Sequence, residues 1–339
     1  MKIDLRSDTV TRPTPAMLEA MFNARVGDDV FGEDPAMNEL EQKAADRFGR
    51  EAALFCPSGT MTNQIAIKVH TRPGDEVICD QTAHVYNYEG GGIGFNSGCS
   101  ARLLQGDKGR FKASDVEENI HSIHDVHRPL SRLVVIENTC NRGGGSIWNM
   151  ADMAKIRKTC DDHGLALHLD GARLFNALAE TGESPAIYGK VFDSISICLS
   201  KGLGAPVGSL LIGDQNFVKQ SRRIRKVLGG GMRQAGYLAA AGIYALEHHV
   251  ERLKEDHRRA KYLGAVISGL PYVDEVFPIP TNIIIFRLAN HTTAAGFAEK
   301  MRERDILVHP FSKQAVRLVT HLDFDDAMLE KTEQALKIF

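Results

Sequence analysis

The sequence has no excess of charge of either sign: its 339 residues carry 41 Lys+Arg against 43 Asp+Glu, a formal net charge of -2. A chain built to hold nucleic acid or an anionic membrane surface usually shows a basic excess or a basic stripe. Only the short run Arg222, Arg223, Arg225 and Lys226 approaches one. Long apolar runs are missing as well. The most apolar stretches, around 238–246 and 283–286, fall well short of the roughly 18 consecutive apolar residues of a membrane span. The opening Met1-Lys2-Ile3-Asp4-Leu5-Arg6 is charged, unlike the apolar core of a signal peptide. A cytoplasmic protein with no nucleic-acid or membrane partner is expected. The six cysteines, Cys56, Cys79, Cys99, Cys140, Cys160 and Cys198, are scattered with no C-x-x-C pair, which speaks against a disulfide framework and a structural zinc site. They read as reduced, mostly buried small hydrophobes. No G-x-G-x-x-G, Walker A or G-x-S-x-G element occurs, so nucleotide binding and serine hydrolysis lose their usual support.

What is present is an average soluble composition, 43% hydrophobic and 25% charged, in a chain long enough for roughly two domains. Apolar β-rich runs at 53–56, 77–79, 102–104, 133–136, 165–169, 194–198 and 209–212 alternate with helix-like segments. That is the pattern of a mostly parallel sheet covered on both faces. Residues 233 to about 269 read as one long amphipathic helix stopped by Gly269-Leu270-Pro271. Beyond it, 283–287, a helix near 292–304 and 315–320 form a smaller α/β unit. The expected division is an N-terminal arm and large domain over 1–230, a linking helix over 231–270 and a small C-terminal domain over 271–339.

Four segments carry chemistry. Lys201, in Ser200-Lys201-Gly202-Leu203-Gly204, follows a strand directly, at the edge where open α/β sheets bind ligands, and can form a Schiff base. A surface lysine in a turn is the plainer account. Asp170 ends the apolar strand Leu167-His168-Leu169. It reads either as a helix N-cap or as a carboxylate that keeps a pyridine nitrogen protonated. Ser58-Gly59-Thr60 opens a helix, where free amides and the positive dipole end attract a phosphate, although capping alone would explain it. His84 follows another strand end, as a structural residue or as an imidazole stacked on a ring and exchanging protons. A lysine for an aldehyde and an aspartate for a ring nitrogen are together the two demands of pyridoxal phosphate chemistry. His121, His124 and His127, spaced H-x-x-H-x-x-H, do not converge on one ion from a helix face, and no metal site is expected.

Several segments extend the pattern in order along essentially the whole chain: Asp4–Thr11, Gly27–Pro35, Pro57–Asn63, Glu137-Asn138-Thr139, Asp170–Arg173, Ser200–Ser209, Gly229–Gln234 and Arg317–His321. With them the sequence resembles the L-threonine aldolases, pyridoxal phosphate enzymes of fold type I in the β-eliminating lyase superfamily. The resemblance implies an α/β fold with a seven-stranded, mostly parallel sheet in the large domain. It implies that Lys201 bonds the cofactor aldehyde, Asp170 pairs with the ring nitrogen, His84 stacks on the ring and Ser58, Gly59 and Thr60 cup the phosphate. Arg173 and Arg317, with Ser7, would hold the substrate carboxylate, which suits the fork geometry of guanidinium. His127 would orient or deprotonate the substrate β-hydroxyl, leaving His121 and His124 as surface residues. Lys226 and Arg233 would reach a neighbouring subunit's cofactor, implying a homodimer or homotetramer with a shared site.

Two positions depart from the family pattern near the substrate: Phe31 stands where tyrosine is common, and Cys140 where histidine follows E-N-T. The implied reaction is retro-aldol cleavage of L-threonine or L-allo-threonine to glycine and an aldehyde, with His84, His127 or a held water as the base. A related lyase preferring phenylserine or 3-hydroxyaspartate, and a non-catalytic cofactor-binding regulator, are the alternatives.

Overall fold

The computed structural model describes residues 2–289 and 292–339. Strands form where the apolar runs lie, and they extend one to three residues beyond most of them. They are β1 (Ile3–Asp4), β2 (Ala52–Cys56), β3 (Asp75–Asp80), β4 (Ser100–Leu104), β5 (Leu130–Glu137), β6 (Ala166–Gly171), β7 (Ser194–Cys198), β8 (Ser209–Gly213), β9 (Val273–Val276), β10 (Ile283–Leu288), β11 (Ile306–Leu307), β12 (His309–Pro310) and β13 (Ala315–Val319). Seven of them make one sheet in the order β2-β8-β7-β6-β5-β3-β4. The β3–β4, β3–β5, β5–β6 and β6–β7 pairs are parallel, and β8 runs antiparallel to both β2 and β7. The expected seven-stranded, mostly parallel sheet is therefore what forms.

Both faces of this sheet are covered, so its strands are apolar throughout. Val134, Ile136, Leu167, Leu169, Ile195 and Ile197 point into the largest core, whereas Val77, Cys79, Leu133 and Val135 serve a smaller cluster. The face of β6 and β7 opposite the leucines is different: His168, Asp170, Ser194 and Ser196 are all buried there, because strand side chains alternate with a period of two. The helix Gly59–His70 lies over these polar groups, with Thr62 Oγ1 2.7 Å from Ser196 Oγ. All six cysteines are free and buried.

A second sheet, β12-β13-β10-β9, is antiparallel and carries its own core of Phe286, Phe297, Leu318 and Phe324. Ile3 and Leu5 belong to that same core. The amino-terminal arm thus packs with the carboxyl-terminal third: β1 pairs in parallel with β11, and Val319 N donates to Leu5 O.

The single long helix expected over 233–269 is two, Gly236–His248 and Leu253–Ser268. The segment at the break packs on a neighbouring loop. His249 is buried with Nδ1 2.7 Å from Leu203 O, and Leu253 packs where a Cβ on Gly202 would stand, 2.9 Å away. Both contacts reach the loop that bears Lys201.

Candidate active site

The carboxyl ends of the parallel strands converge, the usual ligand edge of such a sheet. β6 delivers Asp170, β5 delivers Glu137 beside it in register, and β7 leads into the Lys201 loop. That loop is fixed through its backbone. Lys201 O accepts from Gly204 N at 2.9 Å and from Thr11 Oγ1 at 2.9 Å. Gly204 turns it at φ +76°, where a Cβ would meet Leu322 at 2.6 Å, so only glycine suits that corner. The Lys201 side chain lies close enough to Asp8 and His84 for its charge to act on both.

Asp170 is not a helix N-cap. The next helix begins at Leu174 with Arg173 at its cap position, and Asp170, 1% exposed, is the centre of a buried polar cluster. Its Oδ2 accepts from Asn63 Nδ2 at 2.9 Å and its Oδ1 from Ala172 N at 3.2 Å. Asn63 Nδ2 also donates to Glu89 at 2.8 Å, and His84 Nδ1 lies 3.0 Å from the same carboxylate. Burial alone would lower the His84 pKa, but the hydrogen bond to Glu89 and the charge of Asp170 outweigh it and hold it above the ordinary value. Glu137 accepts from His84 N and from Asn141 N, each at 2.8 Å. Burial, followed by the neighbouring Asp170 carboxylate, pushes Glu137 up to about 7.

This cluster places the carboxylates Glu89, Asp170 and Glu137 in a buried space around one imidazole. Isolated buried charge is strongly unfavourable, so a cation facing Asp170 is the complementary partner. Ligand atoms of His84, Glu89 and Asp170 lie within 4.8 Å of one another. A protonated ring nitrogen of pyridoxal phosphate would meet that need, with Lys201 as the residue that would hold its aldehyde. A phosphate would fall at the start of helix Gly59–His70. There Ser58 caps the helix by accepting from Met61 N at 3.2 Å, and the first amides, those of Gly59 and Thr60, have no intrahelical acceptor. Beside them Ser209 Oγ is buried with no partner, 3.4 Å from where a Gly59 Cβ would stand. Lys201, Asp170, His84, Ser58, Gly59 and Thr60 are thus brought to one sheet edge, and they fit the cofactor.

Arg173 and Arg317 approach from the other side, each already engaged. Arg173 donates a fork to Asp8, Nε to Oδ2 at 2.8 Å and Nη2 to Oδ1 at 2.6 Å, with both residues buried. Burial would raise the Asp8 pKa, but the charge and hydrogen bonds of Arg173 hold it far below the carboxylate range. Arg317 donates to Asn141 Oδ1 at 2.9 Å and to Arg6 O at 3.1 Å. Burial, then the charge of Arg173, brings it down to about 10, and its Nε is buried without a partner. Ser7 caps the short turn Asp8–Val10, with its hydroxyl 3.5 Å from Asp8. Asp8→Asn should destabilise the protein by about 3–5 kcal/mol, the usual loss when one partner of a buried pair is removed. Because the folded pKa is depressed, the pair's contribution is complete above the unfolded value of roughly 4 and is lost as acid titrates below it. Denaturant unfolding at pH 7 and pH 3 checks both statements: the gap between wild type and variant should narrow at the lower pH.

Other expected site residues stand apart within the chain. His127 is exposed in the connection before β5. Leu130 pairs with Asp75 at the opposite end of the strands from Glu137 and Asp170, and β5 separates the two ends by roughly 20 Å at about 3.3 Å per residue. Phe31 is 73% exposed under the Arg233 guanidinium, and Arg233 pairs with Asp28 at 2.9 Å. Lys226 is exposed on the same chain surface as these residues' segment, where Gly231 approaches both Lys226 and Val30. His121 is not a surface residue: it is buried beside Glu76 at 3.2 Å and Arg102 at 2.6 Å, which give the ring polar partners. The basic run is also partly internal, since Arg225 is buried against Asp29 at 2.8 Å and Arg222 pairs with Glu41.

The sequence reading missed Asp8, Asn63, Glu89, Glu137 and Asn141 as functional groups. One signal was available: His168 and Asp170, two apart in an apolar strand, must share a face.

A family model described as beta-eliminating lyase matches residues 4–291. The low specificity L-threonine aldolase of Escherichia coli K12 is 41% identical over 338 residues, spanning 99% of each chain. Low-specificity L-threonine aldolase 1 of Arabidopsis thaliana is 40% identical over 94% of this chain and 91% of its own. The solved threonine aldolase of Leishmania major superposes with a TM-score of 0.86 at 23% identity over 99% of both chains. The serine palmitoyltransferase of Sphingomonas wittichii reaches 0.77 at 16% identity over 99% of this chain and 86% of its own. At such identities these two show the fold, that of the fold type I pyridoxal phosphate enzymes. With similarity sustained end to end and a family match that encloses both Asp170 and Lys201, the chain belongs to the beta-eliminating lyase family.

Proposed function

We propose that this enzyme cleaves the Cα–Cβ bond of L-threonine, L-allo-threonine and related β-hydroxy-α-amino acids, releasing glycine and an aldehyde. The observation that carries the reading is the buried Asp170, held by Asn63 and facing the Lys201 loop, with two arginines on the open side. The names of the full-length relatives agree with it. When bound, pyridoxal phosphate supplies an electron sink for the pair of electrons left on Cα. The chain's own groups set its direction. Asp170 is the fixed negative charge that favours a protonated ring nitrogen. Arg317 and the unused face of Arg173 would bind the substrate carboxylate, and that grip would fix which bond at Cα is presented for cleavage. His84, with Nδ1 on Glu89, keeps its other nitrogen for the substrate side and is the base within the chain best placed to take the β-hydroxyl proton.

Residues 1–230, 231–270 and 271–339 are proposed as N-terminal arm with large domain, linking helix region and small domain. The contacts of Arg317 with Asn141 and Arg6 support a site where these parts meet. Exposed Phe31, Lys226 and Arg233 suit a homodimer or homotetramer in which they complete a neighbour's site, and His127 acts in the site by the same route. No helix among the described residues is long and apolar enough to cross a membrane, in keeping with a cytoplasmic enzyme.

The test is an absorbance spectrum of the isolated protein followed by glycine and aldehyde assays on L-threonine, L-allo-threonine and phenylserine. Visible absorbance with acetaldehyde release is expected. Benzaldehyde release alone would favour the phenylserine lyase, and no turnover of any substrate would sink the proposal. Arg317→Ala should raise KM for the amino acid at least tenfold, the scale of a lost charged hydrogen bond, while cofactor affinity changes little. Equal losses of both would show that Arg317 is misplaced.

A further inference from the structure

Beneath Asp170 a chain of hydrogen bonds continues away from the substrate side. Asn63 Oδ1 lies 3.1 Å from His168 Nε2, His168 Nδ1 lies 2.8 Å from Ser194 Oγ, and Ser194 Oγ lies 2.8 Å from His70 Nε2. His70 stacks on Phe217 at 4.8 Å and lines a cleft of about 690 Å³. His168 and Ser194 are fully buried, and none of these groups touches the substrate side.

The direction of every donor in this chain follows from its inner end. Glu89 and Asp170 are carboxylates, so both hydrogens of Asn63 Nδ2 must point at them. Asn63 Oδ1 is then an acceptor, and His168 must carry its proton on Nε2. Burial, then the nearby His70, lowers the His168 pKa to about 3, so the ring is neutral and its Nδ1 accepts from Ser194. The Ser194 hydroxyl has one hydrogen to give, so it accepts from His70 Nε2. All four links donate toward Asp170. A flipped Asn63 would set Oδ1 against two carboxylates and leave its amino group facing a donor.

We propose that His168 and Ser194 are positioning residues that lock Asn63 in the orientation needed to hold Asp170 against the cofactor's ring nitrogen. The inference rests on the reading that this site takes pyridoxal phosphate. It predicts that damage farther along this face of the sheet is reported at the cofactor ring.

The experiment is titration of pyridoxal 5'-phosphate into the apo form of full-length wild type, His168→Leu, His168→Gln and Ser194→Ala. It follows dissociation constant and visible spectrum, with circular dichroism for folding. His168→Leu should bind about tenfold or more weakly, the scale of a lost bond to a buried polar group, and its visible maximum should move to shorter wavelength. His168→Gln, whose side-chain amide can still donate to Asn63, should recover both to within about threefold. Ser194→Ala should fall between. A folded His168→Leu with wild-type affinity and spectrum overturns the proposal, as does equal loss in His168→Leu and His168→Gln. If His168→Leu does not fold, Ser194→Ala decides: the spectral shift supports the relay, and a wild-type spectrum and affinity overturn it. Wild type that takes up no cofactor removes the reading of the site itself, which separates that failure from failure of the relay.

Discussion

Lys201→Ala should abolish the visible absorbance of the bound cofactor and lower aldehyde release by about 10⁴-fold or more, the scale seen when one member of a concerted catalytic set is deleted. In the proposed site the Lys201 amine is the group that would bond the cofactor aldehyde, so both signals should vanish together. Misfolding is not expected to mimic the result. The loop is held by the Lys201 carbonyl, which accepts from Thr11 and Gly204, by Leu203 O against His249, and by the corner at Gly204. None of these contacts uses the lysine side chain. Circular dichroism and thermal unfolding should therefore stay near wild type. A variant that keeps either the absorbance or the turnover would refute the assignment of Lys201.

Asp170→Ala should reduce kcat by about 10²–10³-fold, as expected for loss of one preorganised charge from a water-poor site. The stability of the apo form should respond in a different way from an ordinary core truncation. Removing a large apolar side chain leaves a cavity, at about 2–5 kcal/mol. Removing Asp170 also relieves its repulsion of Glu137, which burial and that same neighbour push up to about 7. The Glu137 pKa should fall in the variant, and the apoprotein should lose little stability or gain some. Steady-state kinetics and denaturant unfolding of the apo form test the two halves separately. Unchanged kcat would remove Asp170 from the site, and a large loss of apo stability would mean that its structural bonds to Asn63 and Ala172 dominate.

The strands and their order along the chain were legible because both faces of the sheet are buried, so apolar runs such as Ile195–Leu199 have no competing explanation. Lys201, Asp170, His84 and Ser58–Thr60 were legible because each sits at a strand end or helix start, a place fixed by local sequence. The groups that hold them were not. Asp8 meets Arg173, 165 positions away, Asn63 meets Asp170, 107 away, and Arg317 meets Asn141, 176 away; nothing local marks such pairs. The long helix was misread for the same reason. His248 and His249 do not break a helix by propensity, and nothing local marks the distant Leu203 carbonyl that His249 meets. Phe31 and His127, expected at the substrate, stand apart from the buried cluster within one chain, and Arg233, expected to reach a neighbouring subunit, is exposed.

The amino-terminal arm gives the folding chain an order of events. Asp8 and Thr11 are synthesised early, but β1 pairs with β11, Leu5 accepts from Val319, and Asn282 binds Asp8 at 3.3 Å. At 5–20 residues per second, a ribosome needs roughly 15 to 60 s between making Asp8 and making Arg317. Through that interval the seven-stranded sheet can form while Arg173 lacks its carboxylate partner and the Lys201 carbonyl lacks Thr11. A nascent chain released before residue 320 would carry the lysine and the aspartate yet have no arm docked beside them, so capture of the cofactor in its final geometry is expected only after synthesis ends.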